Sequence, residues 1–351
     1  MVTVIIFLIV LAVLIFVHEL GHFLFAKMFG IRVDAFKIGF GPKIIAWTPT
    51  RKDGTKGETE YGINLIPFGG YVKIYGENPD QDDLKVYPAS SPSYVNRVES
   101  RSLIHKAKWQ QVLVLAGGVL FNVLFAWVLY VGLFTYGVTA TADGFPGYEQ
   151  YFSNQRIMTI SDMQNAINDS EGKGVVLDIG KGNNIEQVTV TPTTGLVADK
   201  YAIGIAMNDV ADMRLPFHIS VYEGGRYTWE TLKQTVVGLY GFAVQAFHGT
   251  ANLSEVTGPV GIAGIVGDAA RLGITHLLMI TALISINLAI INIIPFPALD
   301  GGRIFFVAIE SVIRRRIPAS LANWTNLVGF SLLMLLMVVV TYRDIVRLIA
   351  G

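Results

Sequence analysis

Four stretches of this chain are apolar for long enough to enter a bilayer as helices: residues 2–26, 112–136, 274–294 and 327–341. A hydrocarbon layer about 30 Å thick calls for roughly 20 such residues. The pattern between the first two is different. Residues 36–47 and 60–75 are short, apolar and punctuated by glycine, with a polar turn at 51–59. They predict paired β-hairpin strands that dip toward the membrane; a small cytoplasmic β-domain is the alternative. Residues 78–101, rich in Pro, Ser and Asp, read as a mobile linker. Beyond the second span, Ser161 is placed to cap a short helix over 161–168. Residues 175–179 and 185–191 follow as two strands around Gly180-Lys181-Gly182-Asn183-Asn184. Trp229, Leu232, Val236, Leu239, Ala243 and Phe247 then recur at helical spacing. That fits an amphipathic helix at the outer interface or a helix packed on the preceding module.

The predicted fold class is a polytopic α-helical membrane protein with four transmembrane helices. To these it adds a membrane-associated β-hairpin region and a small extracytoplasmic α+β module. The expected order is a first transmembrane helix at 1–26, a cytoplasmic or re-entrant β region and linker at 27–108, and a second transmembrane helix at 109–137. The module follows at 138–215, then an amphipathic or interfacial segment at 216–273. A third transmembrane segment at 274–302 precedes a basic loop and fourth helix at 303–351.

Composition strengthens the membrane reading. Of 351 residues, 52% are hydrophobic and only 15% charged, where soluble domains carry about one quarter. The first span lacks a basic leading segment and a small-residue cleavage site, so it reads as a retained helix rather than a signal peptide. Net charge is zero but unevenly spread: residues 27–108 carry 13 Lys and Arg against 9 Asp and Glu, and residues 138–273 carry 8 against 14. Together with Lys106, Lys108 and the run Arg314-Arg315-Arg316, this puts the first and third loops in the cytoplasm. The N-terminus and second loop are then outside. No basic stripe with interleaved aromatics suggests a nucleic-acid partner, and the absence of cysteine excludes a disulfide framework.

Candidate chemistry interrupts the first span at His18-Glu19-Leu20-Gly21-His22. Ionisable side chains at bilayer depth are costly and mark functional sites by default. On a helix, H-E-x-x-H sets two His on one face with a Glu beside them as general base. A His–Glu pair bridging two helices is the plainer alternative. Catalytic zinc usually takes three protein ligands and leaves a position for water, and the first span offers two. The best third candidate is Asp300, in the stretch Asn287 to Gly302 that ends the third span. Pro295 and Pro297 break the helix just before it, and non-helical backbone at membrane depth is tolerated only inside protein or beside a water-filled cavity. His105, His218, His248 and His276 lack ligand-spaced partners and read as structural or solvated.

HExxH in the first span, with Asn292-x-x-Pro295-x-Pro297-x-Leu299-Asp300-Gly301-Gly302 in the third, resembles the site-2 protease family of intramembrane zinc metalloproteases. Within it, the chain is similar to the bacterial RseP type, which carries an extracytoplasmic PDZ module between its second and third spans. Gly39-Phe40-Gly41-Pro42, the stretch Ile66 to Val72, Ala116-Gly117-Gly118 through Asn122, and Gly258 to Ile262 are further points of likeness. The resemblance implies Zn2+ held by His18, His22 and Asp300, with Glu19 activating water. It implies that Asn292 and Asn287 handle the substrate backbone; capping the broken helix is their alternative role. It also implies single-span membrane substrates, such as anti-sigma factors or remnant signal peptides, and an upstream site-1-type protease as partner. The implied location is the bacterial cytoplasmic membrane, with the active site toward the cytoplasm. The helix and strands at 161–191 resemble the C-terminal half of a PDZ domain, but no Gly-Leu-x-x-Gly-Asp segment precedes them. The expected module is a shortened PDZ-like body acting as a steric gate. Two rival readings remain. A membrane zincin of the HtpX or CAAX-processing kind, cutting outside the bilayer, takes its third ligand from a Glu, against which Leu-Asp-Gly-Gly argues. An inactive membrane scaffold would not retain every expected ligand and the base.

Overall fold

The computed structural model describes residues 2–50, 56–77, 100–141, 164, 167–181, 184–197, 200–203, 210–250 and 257–350. It divides into two compact units, Met1–Leu133 with Val221–Gly351, and Phe134–Ser220.

Helices dominate the first unit. Among the described residues, four are long and apolar enough to cross a membrane: α1 (Val2–Met28), α3 (Gly117–Tyr136), α6 (Ile274–Ile293) and α8 (Ala319–Ala350). α8 outruns the expected 327–341, and its Leu327, Leu332, Leu335 and Val338 are each more than half exposed. Such a surface suits lipid. The second span is not the continuous helix that its apolar run predicts. α2 (Lys108–Leu115) ends at Ala116, and α3 begins at Gly117. The break falls where α3 meets α1. A Cβ on Gly21 would strike the Gly117 carbonyl, and one on Gly117 would stand 2.7 Å from the Gly21 carbonyl oxygen. Only glycine lets two helix backbones approach so closely.

The described residues of 216–273 include two helices. α4 (Phe217–Phe247) rests on α3 within this unit: Trp127 Nε1 donates to the Val221 carbonyl at 3.0 Å, and Tyr130 meets Tyr227 edge-on at 4.9 Å. Its far end exposes Val237, Tyr240 and Phe247. α5 (Pro259–Leu272) packs on α1 and α6, burying Val266 against Val10 and Leu14. Asp344 of α8 accepts hydrogen bonds from the Gly258 and Gly261 N–H groups at 3.2 and 2.8 Å, capping α5 from a neighbouring helix. α7 (Asp300–Ile313) packs on α2, where Lys108 pairs with Glu310 at 2.6 Å.

β1 (Val33–Trp47) and β2 (Glu60–Ile74) pair antiparallel, and each folds back on itself. The reversals use Gly39, Gly41 and Gly69, at φ 84°, 83° and 98°, values that side chains rarely permit. Residues 35–38 therefore have residues 70–73 on one side and 60–63 on the other, while 43–47 lies beyond 61–64. At the end near α1, Val33, Phe36, Val72 and Ile74 are buried with Ala26, Leu103 and Val114. The far end exposes Phe40, Ile44, Ile45, Trp47, Leu65 and Ile66.

In the second unit β3 (Val138–Thr141) pairs antiparallel with β8 (Val210–Met213), joining the segments by which the chain enters and leaves. β4 (Val175–Lys181) and β5 (Asn184–Val190) form the hairpin expected there, in register from Val175↔Val190 to Lys181↔Asn184. β6 (Thr193–Val197) pairs with β7 (Lys200–Ala202). Residues 167–169 are helical, whereas Ser161 and its expected cap, Gly182-Asn183 and the linker over 78–99 lie outside the described residues.

Candidate metal centre

Three side chains predicted from separate parts of the sequence converge. His18 and His22 stand one turn apart on α1, and Asp300 opens α7. Asp300 Oδ2 lies 3.1 Å from His18 Nε2 and 3.3 Å from His22 Nε2, and the two imidazole nitrogens are 3.3 Å apart. All three side chains are at least four-fifths buried. Among the described residues they are the one cluster whose ligand atoms could share a metal ion. Zinc–ligand bonds of about 2.0–2.2 Å at tetrahedral angles separate neighbouring ligand atoms by roughly 3.3–3.5 Å, so the triangle fits zinc. Asp300 Oδ2 is buried without a hydrogen-bond partner although both nitrogens lie beside it. Buried polar atoms are normally satisfied, and three lone pairs aimed at a common centre leave that place for a cation.

Local sequence explains each position. The break at Ala116 releases the Val114 carbonyl from the helical ladder, and His22 Nδ1 bonds it at 2.8 Å. That bond fixes the tautomer whose Nε2 faces the cluster. Gly118 leaves room for both rings: a Cβ there would strike His18 Cε1 and stand 2.5 Å from His22 Nε2. At the other wall, Ala298 adopts φ 72° between Pro297 and Leu299, and its N–H donates to Asn326 of α8 at 3.2 Å. A Cβ on Gly301 would strike the Ile293 and Ile294 carbonyls, and one on Gly302 would strike the Phe296 carbonyl. The Leu-Asp-Gly-Gly glycines thus let the first turn of α7 close against the end of α6.

Glu19 lines the same cavity, beside Gly70, Tyr71 and Val72 of β2. The Val72 backbone N–H faces its carboxylate. A Cβ on Gly70 would stand 3.2 Å from Glu19 Cγ, so glycine brings the sheet edge up to the acid. No further strand lies along the outer side of residues 70–74 among the described residues. Arg303, one helical turn beyond Asp300, and Glu77 also line the cavity and form an ion pair. Their charges were visible in the sequence, but nothing there placed them at the site. Asn287 and Asn292 are half-buried on α6, and neither lines the cavity. In the loop that follows, Asn326 Oδ1 accepts the Ala298 N–H.

A membrane-length helix bearing two imidazoles and a carboxylate, joined by an aspartate from a broken helix, is the architecture of a membrane metallopeptidase. The model of peptidase family M50 matches residues 6–336, and the chain belongs to that family, the site-2 proteases. A protein of Clostridium perfringens described as a zinc metalloprotease is 36% identical over 356 aligned positions, covering 95% of each chain. The zinc metalloprotease RasP of Geobacillus kaustophilus is 29% identical, covering 97% of this chain and 96% of its own. The regulator of sigma-W protease RasP of Bacillus subtilis is 28% identical over 99% of both. That last alignment runs over 428 positions against 351 residues here, so the relative has segments that this chain lacks.

Proposed function

We propose that this zinc metalloendopeptidase cleaves the transmembrane segments of single-span membrane proteins, with His18, His22 and Asp300 as the zinc ligands and Glu19 as the base. The observation that carries the proposal is the buried donor triangle with Glu19 beside it, set within a helix of membrane-crossing length. Zinc held there supplies a Lewis acid that acidifies water and polarises a peptide carbonyl. Glu19 takes the proton of the attacking water and returns it to the departing nitrogen. The Val72 N–H keeps that carboxylate aimed into the cavity.

A transmembrane helix hides its scissile bond within its own hydrogen-bond ladder, so the substrate must unwind. The outer side of residues 70–74 offers it backbone partners by strand addition, next to Glu19. The exposed apolar end of the sheet, Phe40, Ile44, Ile45 and Trp47, supports a re-entrant element in contact with lipid. Asn292, with Asn287, is assigned to the substrate backbone once a peptide extends the cavity toward α6. The charge distribution supports an outside N-terminus and second loop, with the zinc toward the cytoplasm. The Phe134–Ser220 unit is assigned as a shortened PDZ-like gate that turns away bulky ectodomains. The Bacillus subtilis relative's sigma-W role favours membrane-bound anti-sigma factors among the substrates, after trimming by a site-1-type protease.

The test is to incubate the purified full chain, reconstituted in vesicles, with a single-span substrate and to locate the cut by mass spectrometry. A cut inside the apolar segment, abolished by chelator and restored by zinc, is expected. Cuts confined to the soluble flanks would favour a zincin acting outside the bilayer.

A further inference from the structure

Both imidazoles at the cluster need a partner for the nitrogen that faces away from it. His22 has the Val114 carbonyl. The group against His18 Nδ1 is the side-chain amide of Asn122, which is wholly buried on α3 and makes a 3.1 Å contact through Nδ2. An amide N–H donating to Nδ1 requires the ring proton to sit on Nε2, where it would face Asp300 and block a metal. Meanwhile Asn122 Oδ1 is buried with no hydrogen-bond partner. An amide is nearly symmetric in shape, so a half-turn about Cβ–Cγ exchanges its oxygen and nitrogen without displacing a neighbour. The half-turn leaves Nδ2 as the unbonded atom, a cost that the metal–imidazole bond outweighs.

We propose that Asn122 is a positioning residue for the metal centre: its Oδ1 accepts the His18 Nδ1–H and so turns the Nε2 lone pair toward zinc. The backbone around it is built to hold that alignment. Ser285 of α6, itself fully buried, donates its hydroxyl to the Asn122 carbonyl at 2.8 Å. Gly118, one turn earlier on α3, abuts the same imidazoles. The two histidines would then be oriented by different kinds of acceptor on the two sides of the Ala116 break, a backbone carbonyl released by it and an amide oxygen following it.

The inference rests on His18 being a ligand, so the experiment separates the two claims. Zinc affinity of the full chain in detergent is measured by competition with a chromogenic chelator for His18→Ala, Asn122→Leu and Asn122→Asp. Loss of tight zinc in His18→Ala upholds the ligand assignment by itself; retention would overturn both claims. Asn122→Leu keeps the branched shape, at a larger volume, but removes the acceptor, and an oriented ligand of this kind predicts affinity about 10–100-fold weaker. An ionised aspartate can only accept, so Asn122→Asp should hold zinc at least as tightly as the wild type. If the amide instead donates to His18, the aspartate variant will lose as much as the leucine one, and the proposal falls. It falls equally if Asn122→Leu binds within twofold of wild type. Unfolding of the metal-free proteins separates lost orientation from lost fold. Should the leucine variant fail to fold, a tenfold loss in Asn122→Asp is the overturning result.

Discussion

Alanine at Gly118 adds a single methyl group to α3, yet its place makes it a severe test of the metal centre. The new Cβ would stand 2.5 Å from His22 Nε2 and 2.6 Å from His18 Nδ1, where ordinary contact begins at 3.4 Å. The rings, or α3, must therefore move by about 0.9 Å. α3 is held by the backbone contact of Gly117 with Gly21, so much of the shift falls on the imidazoles. A zinc site tolerates about 0.2 Å in its ligand distances, and catalytic groups misplaced by about 1 Å lose on the order of 100-fold in rate. We expect Gly118→Ala to lose zinc to a chelator that the wild type resists and to lower kcat/KM by about 100-fold. Gly132→Ala is the control on the same helix: its Cβ would meet nothing within 4 Å, and the change should be neutral or stabilising by up to about 1 kcal/mol. Full zinc content in Gly118→Ala, with cleavage within twofold of wild type, would refute the packing argument.

Other consequences are as specific. Asp300→Ala should lower zinc occupancy and proteolysis together, because two imidazoles alone hold zinc poorly; normal zinc with lost cleavage would make Asp300 a substrate-handling group. In intact cells, Arg315→Cys should be shielded from an impermeant thiol reagent and Glu171→Cys should label, the chain having no native cysteine; the reverse pattern would invert the orientation. Replacing residues 144–208 by a short Gly/Ser link should preserve cleavage of a trimmed substrate and raise that of the untrimmed form. Loss of both in a folded, zinc-bound protein would mean that the module presents substrates.

How much of this could be read from sequence depended on which atoms did the work. The four spans and the cluster were legible because apolar length, the HExxH spacing and the Pro295–Pro297 break are properties of side chains. The division of the second span at Ala116 was not, since the uninterrupted apolar run hides the release of one carbonyl; Gly117-Gly118 was the only trace of it. The Val114 carbonyl and the Val72 N–H serve His22 and Glu19 as backbone groups, and backbone carries no residue identity. The double reversal of the sheet was written in Gly39, Gly41 and Gly69, but register depends on tertiary packing. Helical spacing in 227–247 was sound, though what α4 packs on came from Gly224 and Gly225, where the helix comes within contact of Val131 and Trp127.

The central claim is a division of labour: three side chains hold the metal and Glu19 moves the proton. Glu19→Gln separates them, because the amide is isosteric and cannot take a proton from water. Zinc analysis and cleavage of a single-span substrate, performed on the same preparation of the full chain, give the direct test. The account predicts wild-type zinc content with proteolysis below a few per cent. Retained cleavage in the zinc-loaded variant, or loss of the zinc itself, would contradict it.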